Sequence, residues 1–290
     1  MRTAIILLLT ISTTVLFGQP EKIKDADPGK PFILGTINEI QSQELSEKRI
    51  LNIYLPEGYN QNDTTAYPVV YLLDGSADED FIHIVGLYQF NNFPWINRVP
   101  KSIVVGIANV DRRRDFTYPT TIEADKKRYA TSGKSEKFIN FIEKELQPYI
   151  QNKYRTNSSK TIIGQSLGGL LATEILLKRP MLFDKYIIIS PSLWWDNGSL
   201  LNLQSEILQK TFYKKTDIYI GVGKEGLGPS DIPHVMEVDA NLLAEKLNNS
   251  KSGSLKIYFD YLPQEDHATI THQSVFNALR LLYPSTKDNK

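Results

Sequence analysis

The sequence predicts an α/β fold in which helices cover both faces of a mostly parallel central sheet. Short apolar runs rich in β-branched and aromatic residues alternate with stretches whose apolar residues recur at three- and four-residue spacing. Runs of the first kind fill central strands, and stretches of the second kind form amphipathic helices. This alternation indicates a parallel sheet, and right-handed crossovers make one doubly wound domain the simplest topology.

The predicted elements follow this pattern along the chain. Two runs that alternate apolar with polar residues, as antiparallel edge strands do, lie at 32–37 and 50–55. Buried strands are predicted at 67–73, 102–108, 161–163, 186–189, 218–222 and 255–262. The clearest helices are predicted at 136–149, 167–177, 238–247 and 271–282. The charged segment 109–134 has little periodicity, so we expect a long loop over the C-terminal edge of the sheet.

The composition excludes several classes of function. The 290 residues include 33 basic and 33 acidic side chains, a balance that gives no indication of nucleic acid or an acidic membrane as partner. The chain has no cysteine, which rules out a thiol nucleophile, a cysteine metal site, a disulfide framework and a lipoprotein attachment site. We expect no metal and no organic cofactor. Oligomeric state is not predicted by any pattern in the sequence.

The N-terminus predicts a secretory signal peptide over residues 1–18. Arg2 precedes an apolar run at 4–17 that is too short and too rich in threonine for a transmembrane helix, although a retained anchor is the alternative. A mobile polar lead is expected at 19–31 and a single domain at 32–290. We therefore expect a secreted or periplasmic protein whose mature chain has no membrane span.

The motif Gly-Gln-Ser-Leu-Gly at 164–168 is the most informative feature for function. An apolar run enters it and a helix-forming run leaves it, which is the strand, turn and helix context that a Gly-x-Ser-x-Gly nucleophile requires. The two glycines allow close approach of neighbouring backbone, and Ser166 stands at a helix N-terminus whose unpaired amides stabilise negative charge. Ser166 is therefore the predicted nucleophile of a serine hydrolase.

A serine hydroxyl needs a base within hydrogen-bonding reach and, usually, an acid that orients the base. His267 lies between the last predicted strand and the last predicted helix, where the chain order serine, acid, histidine places the base. Glu225, just beyond the strand at 218–222, is the first choice for the acid. Asp231, further along the same loop, is the second choice, and a dyad without an acid is also possible.

The remaining three histidines are expected to have other places. His272 lies five residues after His267, a spacing that puts the two on different helical faces, so we expect a surface or packing residue. His83 lies in an apolar helical run and is expected to be structural. His234 is expected to be solvated, with the rim of the pocket as the alternative.

Two backbone amides are predicted to stabilise the oxyanion of the tetrahedral intermediate. One is the amide of Leu167, directly after the nucleophile. The other belongs to the loop after the third strand, where Asp74 and Gly75 begin a tight turn, and we assign it to Ser76.

Five segments together resemble a known family, and they lie at 70–75, 109–120, 164–169, 190–195 and 265–267. They are similar to the putative-esterase family of α/β-hydrolases, which contains the esterase D, ferric-enterobactin esterase and mycolyltransferase-like enzymes. The similarity spans about residues 48–283. It implies an α/β-hydrolase fold with Ser166 as nucleophile, His267 as base and the amides of Ser76 and Leu167 as oxyanion hole. It says less about Glu225, because the residues after that strand vary within such enzymes.

The main functional hypothesis is a secreted serine esterase that hydrolyses a small carboxylic ester through an acyl-enzyme, with a siderophore ester implied by the resemblance. Trp194 and Trp195 are candidates for an aromatic wall around the substrate, with core packing as the alternative. Arg114, in a run of three arginines, is a candidate for holding an anionic substrate, with a solvated surface as the alternative. The competing functions are a feruloyl or acetyl esterase acting on polysaccharide, an acyltransferase, and an inactive ligand-binding module.

Overall fold

The computed structural model describes residues 29–284 and contains one eight-stranded sheet. The predicted signal peptide and most of the lead at 19–31 lie outside the described residues. Residues 29–33 contain no helix or strand, and from Leu34 the chain forms one compact unit. The strands are β1 (Thr36–Ser42), β2 (Glu47–Tyr54), β3 (Tyr67–Leu72), β4 (Ile103–Ile107), β5 (Thr156–Gln165), β6 (Lys185–Ile189), β7 (Thr216–Gly223) and β8 (Leu255–Leu262).

The strand order across the sheet is β1-β2-β4-β3-β5-β6-β7-β8. The two pairs that involve β2 are antiparallel and the other five are parallel, which confirms the predicted mostly parallel sheet. The carboxyl ends of β5, β7 and β8 therefore lie along one edge of the sheet, where the loops that follow them can meet.

The helices are α1 (Phe81–Asn92), α2 (Arg112–Phe116), α3 (Glu123–Arg128), α4 (Ser135–Phe141), α5 (Gln147–Lys153), α6 (Leu167–Lys178), α7 (Ser199–Asn202), α8 (Met236–Asn248) and α9 (Ile270–Leu282). A π-helical turn at Ile142–Leu146 joins α4 to α5. Among the described residues, no helix is both long enough and apolar enough to cross a bilayer.

Two apolar cores lie on opposite faces of the sheet. Helices α4, α5, α6 and α8 pack against one face, and α1 and α9 pack against the other. Strand β3 shows the alternation that makes this possible, since Val69 and Tyr71 belong to the first core whereas Val70 and Leu72 belong to the second. A strand buried on both faces reads as a continuous apolar run, which is why β3 was readily predicted.

Two of the predicted segments differ most from the structure. The first strand was predicted at 32–37 but lies at Thr36–Ser42. Its position is set by pairing with β2, in which Thr36 lies opposite Ile53 and Ser42 lies opposite Glu47. The segment 109–134, expected as a loop, contains α2 and α3. Helix α2 has five residues, too few to show periodicity, and is held by the side chain of Asp111, which accepts from the Arg114 amide, and by the buried Phe116.

Candidate active site

Ser166 occupies the sharp turn between β5 and α6. Its backbone has φ +60° and ψ −119°, a conformation that is rare for a non-glycine residue. A side chain at Gly164 would collide with the backbone carbonyl of Gly168. A side chain at Gly168 would lie 3.2 Å from the carboxylate of Asp74. Close packing around the turn therefore requires glycine at 164, as the sequence predicts, whereas at 168 an added carbon would be tight against the Asp74 side chain.

The structure brings Ser166, His267 and Glu225 together, although they come from three separate loops. His267 Nε2 lies 2.9 Å from Ser166 Oγ, and His267 Nδ1 lies 2.6 Å from Glu225 Oε2. The Glu225 side chain is 2% exposed, whereas that of His267 is 44% exposed. When Nδ1 donates to the carboxylate, Nε2 of the neutral ring is left to accept the serine proton.

Glu225 has the environment of an ionised carboxylate. Its Oε1 accepts hydrogen bonds from the Ser190 hydroxyl and from the Gly223 amide. Burial alone would raise the pKa of Glu225, but the hydrogen bonds from His267, Ser190 and Gly223 and the positive charge of protonated His267 together lower that pKa. Glu225 is therefore ionised at neutral pH, as its predicted role of orienting His267 requires.

Asp231 is not brought to His267. Its carboxylate lies 3.0 Å from the guanidinium of Arg128, and its side chain is 57% exposed. Of the two acids considered from the sequence, Glu225 is the one that the fold places beside His267.

The turn after β3 lies close to Ser166, since its Asp74 carboxylate approaches Gly168. The Gly75 amide donates to the Ile107 carbonyl at 3.0 Å, and the Gly75 carbonyl accepts from Asn52 Nδ2 at 2.8 Å. Within residues 29–284, neither the Ser76 amide nor the Leu167 amide donates a hydrogen bond to another protein atom. Both amides are thus available to an oxyanion.

Arg112 makes contacts beside Ser166 that the sequence reasoning, which considered it only with its neighbours as a possible anion-holding residue, did not predict. Its guanidinium forms two hydrogen bonds with the Asp74 carboxylate, at 2.6 and 2.9 Å, and a third with the Gln165 carbonyl at 3.0 Å. It thereby joins the turn that carries Ser76 to the strand end that carries Ser166. The run of three arginines was noticed in the sequence, but only the fold shows that Arg112 is the one that contacts Asp74 and the end of β5.

Arg114, the arginine chosen from the sequence, is placed elsewhere. Its guanidinium donates to both carboxylate oxygens of Glu47 and to Asp115, so its hydrogen-bonding groups are occupied within the protein. The expectation that it holds an anionic substrate is not supported by this arrangement. The remaining arginine of the run, Arg113, places its guanidinium over the ring of Tyr129, 5.2 Å from the ring centroid.

The two tryptophans belong to the core and do not form an open wall. Trp195 is 0% exposed, and its indole nitrogen donates to the Tyr118 carbonyl at 2.9 Å. Trp194 is also buried and packs against Gly228 and the ring of Tyr129. The core-packing alternative is therefore what the structure shows, because the loop after β6 turns both indoles inward.

The other histidines lie apart from the triad of side chains. The rings of His83 and His272 meet edge to face on the surface, with centroids 4.7 Å apart. His234 lies 2.9 Å from Asp239 and 3.0 Å from Asn197, so it is paired rather than free in solvent. Within the described part of the chain, no three histidine, aspartate or glutamate side chains are grouped as a metal site requires.

Two serines in the loop after β6 also reach the site. Ser190 donates to Glu225, and Ser192 Oγ lies 3.3 Å from Ser166 Oγ. Both side chains are buried. This loop was noted in the sequence only as a segment of family resemblance, since nothing local indicates that its hydroxyls face the triad.

Comparison with known proteins identifies the family. Residues 42–258 match the family model described as putative esterase, which is more than half of the chain. The chain belongs to this family. The resemblance noted in the sequence is thereby confirmed, and the chain is a hydrolase that acts on ester bonds.

Relatives of this esterase cover most of its length. It is 28% identical over 268 residues to the ferri-bacillibactin esterase BesA of Bacillus subtilis, covering 82% of this chain and 87% of that one. An IroE-like serine hydrolase from Shewanella oneidensis has 33% identity and a TM-score of 0.75, with 86% of this chain and 80% of that chain covered. The BES protein of Bacillus cereus has 26% identity and a TM-score of 0.72, with 90% and 100% covered. The sheet with its flanking helices is accordingly an α/β-hydrolase fold.

Proposed function

We propose that this esterase hydrolyses a siderophore ester through a covalent acyl-enzyme on Ser166. The single observation that carries the proposal is the continuous hydrogen-bonded chain from Ser166 Oγ through His267 to Glu225, at 2.9 and 2.6 Å. This is the arrangement that activates a serine hydroxyl. The substrate class is supported by the relatives, one of which is named a ferri-bacillibactin esterase and covers 82% of this chain.

In the first half of the reaction, Ser166 Oγ attacks the ester carbonyl carbon while His267 Nε2 takes the serine proton. The carbonyl oxygen becomes an oxyanion and is stabilised by the amides of Ser76 and Leu167. The intermediate then collapses, the bond from carbon to the alcohol oxygen breaks, and His267 returns its proton to the leaving alcohol. An acyl group is left esterified to Ser166.

In the second half, a water molecule replaces the alcohol. His267 removes a proton from the water as its oxygen attacks the acyl carbon, and a second oxyanion forms at the same two amides. Collapse of this intermediate releases the carboxylic acid, and His267 returns the proton to Ser166. Throughout both halves, Glu225 holds the imidazole in one orientation and stabilises its protonated form.

The test measures kcat/KM for the hydrolysis of three esters by the chain that lacks residues 1–18. The esters are a ferric catecholate triester, a feruloyl ester and p-nitrophenyl acetate. The expected result is that the catecholate triester has the highest kcat/KM and that a quenched reaction shows protein with one acyl group added to Ser166 by mass spectrometry. Preference for the feruloyl ester would replace the substrate class with plant-type esters. Transfer of the acyl group to a sugar in place of water would indicate an acyltransferase.

The matched variants are Ser166→Ala and Ser158→Ala, which change the same residue type just after β5 and near its start. Ser158 is exposed, so its variant should hydrolyse and label with a fluorophosphonate as the wild type does. Ser166→Ala should not label and should lose at least about 1000-fold in kcat, leaving only the contribution of the oxyanion hole and binding. Unchanged turnover by Ser166→Ala would remove this serine from the mechanism.

The proposed location is outside the cytoplasm, since residues 1–18 have the pattern of a signal peptide. Expression of the full chain in a bacterial host, followed by N-terminal sequencing of the exported protein, tests this. A new N-terminus near residue 19 is expected, and an intact Met1 in the membrane fraction would indicate a retained anchor.

A further inference from the structure

The loop formed by Ser190, Pro191 and Ser192, which follows β6, lies between the nucleophile and the acid. The Ser190 amide donates to the Gly221 carbonyl on β7 at 2.7 Å, and the Ser192 amide donates to the Ser166 carbonyl at 3.0 Å. The loop is therefore fixed at one end to the strand that leads to Glu225 and at the other end to the turn that holds Ser166.

Ser190 has an unusual backbone for its place. Its φ is +41°, in the region that favours glycine, and its side chain is fully buried. Such a conformation persists in a non-glycine residue only where the surroundings determine it, and it often accompanies a functional constraint. The Ser190 side chain, which glycine would lack, donates a hydrogen bond to Glu225 Oε1.

The two oxygens of Glu225 have separate partners. Oε1 accepts from the Ser190 hydroxyl and from the Gly223 amide at 3.2 Å, whereas Oε2 faces His267 Nδ1 at 2.6 Å. A carboxylate rotates freely about its last carbon–carbon bond unless a hydrogen bond holds one of its oxygens. With Oε1 held, Oε2 is aimed at the histidine.

We propose that Ser190 is a positioning residue, whose hydroxyl orients Glu225 so that the carboxylate in turn orients His267. The proposal rests on the proposed function, because it assigns Ser190 to the same reaction. It is supported by the pKa of Glu225, which burial raises but which the Ser190 hydroxyl, together with His267 and Gly223, lowers. No proton is transferred to or from Ser190, and it does not touch the substrate.

Three single variants test the proposal. Ser190→Ala and Ser190→Gly both remove the hydroxyl, but glycine suits φ +41° and alanine does not. Ser205→Ala is the control, since Ser205 is also buried and donates one hydrogen bond, to the Leu177 carbonyl outside the site. For each variant, kcat, KM, the rate of fluorophosphonate labelling and Tm are measured.

Both Ser190 variants are expected to lower kcat and the labelling rate by about 10- to 100-fold with KM unchanged, the loss typical of a misplaced catalytic group. Ser205→Ala should keep the wild-type kcat. The glycine variant keeps the test valid if Ser190→Ala fails to fold. A wild-type kcat in Ser190→Gly would overturn the proposal, and a loss restricted to the alanine variant would show that backbone strain is responsible.

A double-mutant cycle with Glu225→Gln separates positioning from a general structural role. If Ser190 acts through Glu225, Ser190→Ala should cost less than about 3-fold in kcat once Glu225 is already changed. Losses that multiply would show that Ser190 acts independently of Glu225 and would overturn the proposal.

A second measurement does not depend on turnover. In the Ser166→Ala protein, the His267 Nδ1 proton that bridges to Glu225 should give a downfield NMR resonance, and adding Ser190→Ala should broaden or remove it. A resonance unchanged by Ser190→Ala would overturn the positioning role. If Ser190→Ala removes the resonance but the wild-type protein cleaves no ester, the positioning role is upheld and the proposed function is refuted.

Discussion

Arg112 and Asp74 form a bidentate ion pair that ties the turn bearing Ser76 to the nucleophile strand. The guanidinium Nε and Nη2 lie 2.6 and 2.9 Å from the two carboxylate oxygens, and Nη2 also lies 3.0 Å from the Gln165 carbonyl. One side chain thus sets the spacing between Ser76, one proposed oxyanion donor, and the backbone that carries the other. The planar fork of arginine makes these contacts together, which a lysine ammonium cannot do.

Arg112→Lys should therefore lower kcat by about 10- to 100-fold with little change in KM. The reason is that a loosened oxyanion hole lowers kcat less than the loss of a donor does, and the loss of a donor typically lowers kcat by about 100- to 1000-fold. Steady-state kinetics on a p-nitrophenyl ester measure the change. Arg113→Lys is the control, because Arg113 is exposed and its guanidinium lies over the face of Tyr129, and it should stay within about twofold of wild type. Equal effects of the two variants would contradict the proposed link.

Glu225→Gln should lower kcat by roughly 100- to 10,000-fold, since an amide in place of the carboxylate favours the wrong histidine tautomer. Asp231→Asn should leave kcat unchanged, because Asp231 is exposed and paired with Arg128. Both variants are assayed by ester hydrolysis and by fluorophosphonate labelling. A wild-type rate in Glu225→Gln would mean that His267 works without an acid.

Asp80 should make the fold less stable at neutral pH. Burial, together with the nearby charge of Asp74, raises the pKa of Asp80 to about 6. Since the unfolded value is about 3.9, the native state binds more protons between about pH 4 and pH 6. The free energy of unfolding therefore falls as the pH rises through that window, and the penalty is complete above it.

Asp80→Asn should accordingly raise Tm at pH 7.5 and have little effect near pH 3.5. A rise of roughly 2–4 °C corresponds to about 1 kcal/mol, a value below the full pKa shift because the side chain is partly exposed. Asp78→Asn is the control, since Asp78 is a neighbouring exposed aspartate. A rise that is equal at both pH values would show that the charge of Asp80 is not its cause.

Two glycine substitutions should change stability in opposite directions. Gly164→Ala would push a methyl group into the Gly168 carbonyl, so we expect a loss of about 3 kcal/mol or more in the free energy of unfolding. Gly86→Ala lies within α1, where the added carbon would meet open space, and it should gain about 0.5–1 kcal/mol from helix propensity. Urea unfolding measures both, and a neutral Gly164→Ala would contradict the required close approach.

Much of the secondary structure of this protein depends on residues that are neighbours in the sequence. The β-branched runs and the helical spacing are properties of neighbouring residues, so the strands from Tyr67 onward and the main helices could be predicted from short windows. The turn around Ser166 is equally local, because two glycines and a serine between a strand and a helix specify its backbone. His267 followed from chain order, once the number of strands before it was known.

Other features depended on contacts that no short window contains. Glu225, and not Asp231, lies beside His267, because its carboxylate also accepts hydrogen bonds from the Gly223 amide and Ser190. These partners come from three different strand ends. The place of Arg112 beside Ser166 depends on its contact with Asp74, which is 38 residues away.

By itself, the sequence determined the α/β fold class and the esterase family, and it supplied Ser166 and His267 as the proposed nucleophile and base. Each of these comes from a repeating pattern or from a motif of contiguous residues. Only the tertiary structure decided which acid faces His267, which arginine reaches the site and that Trp194 and Trp195 lie in the core. The physical reason is that the direction of a loop side chain depends on the partners that fold around it, and those partners are distant in the chain.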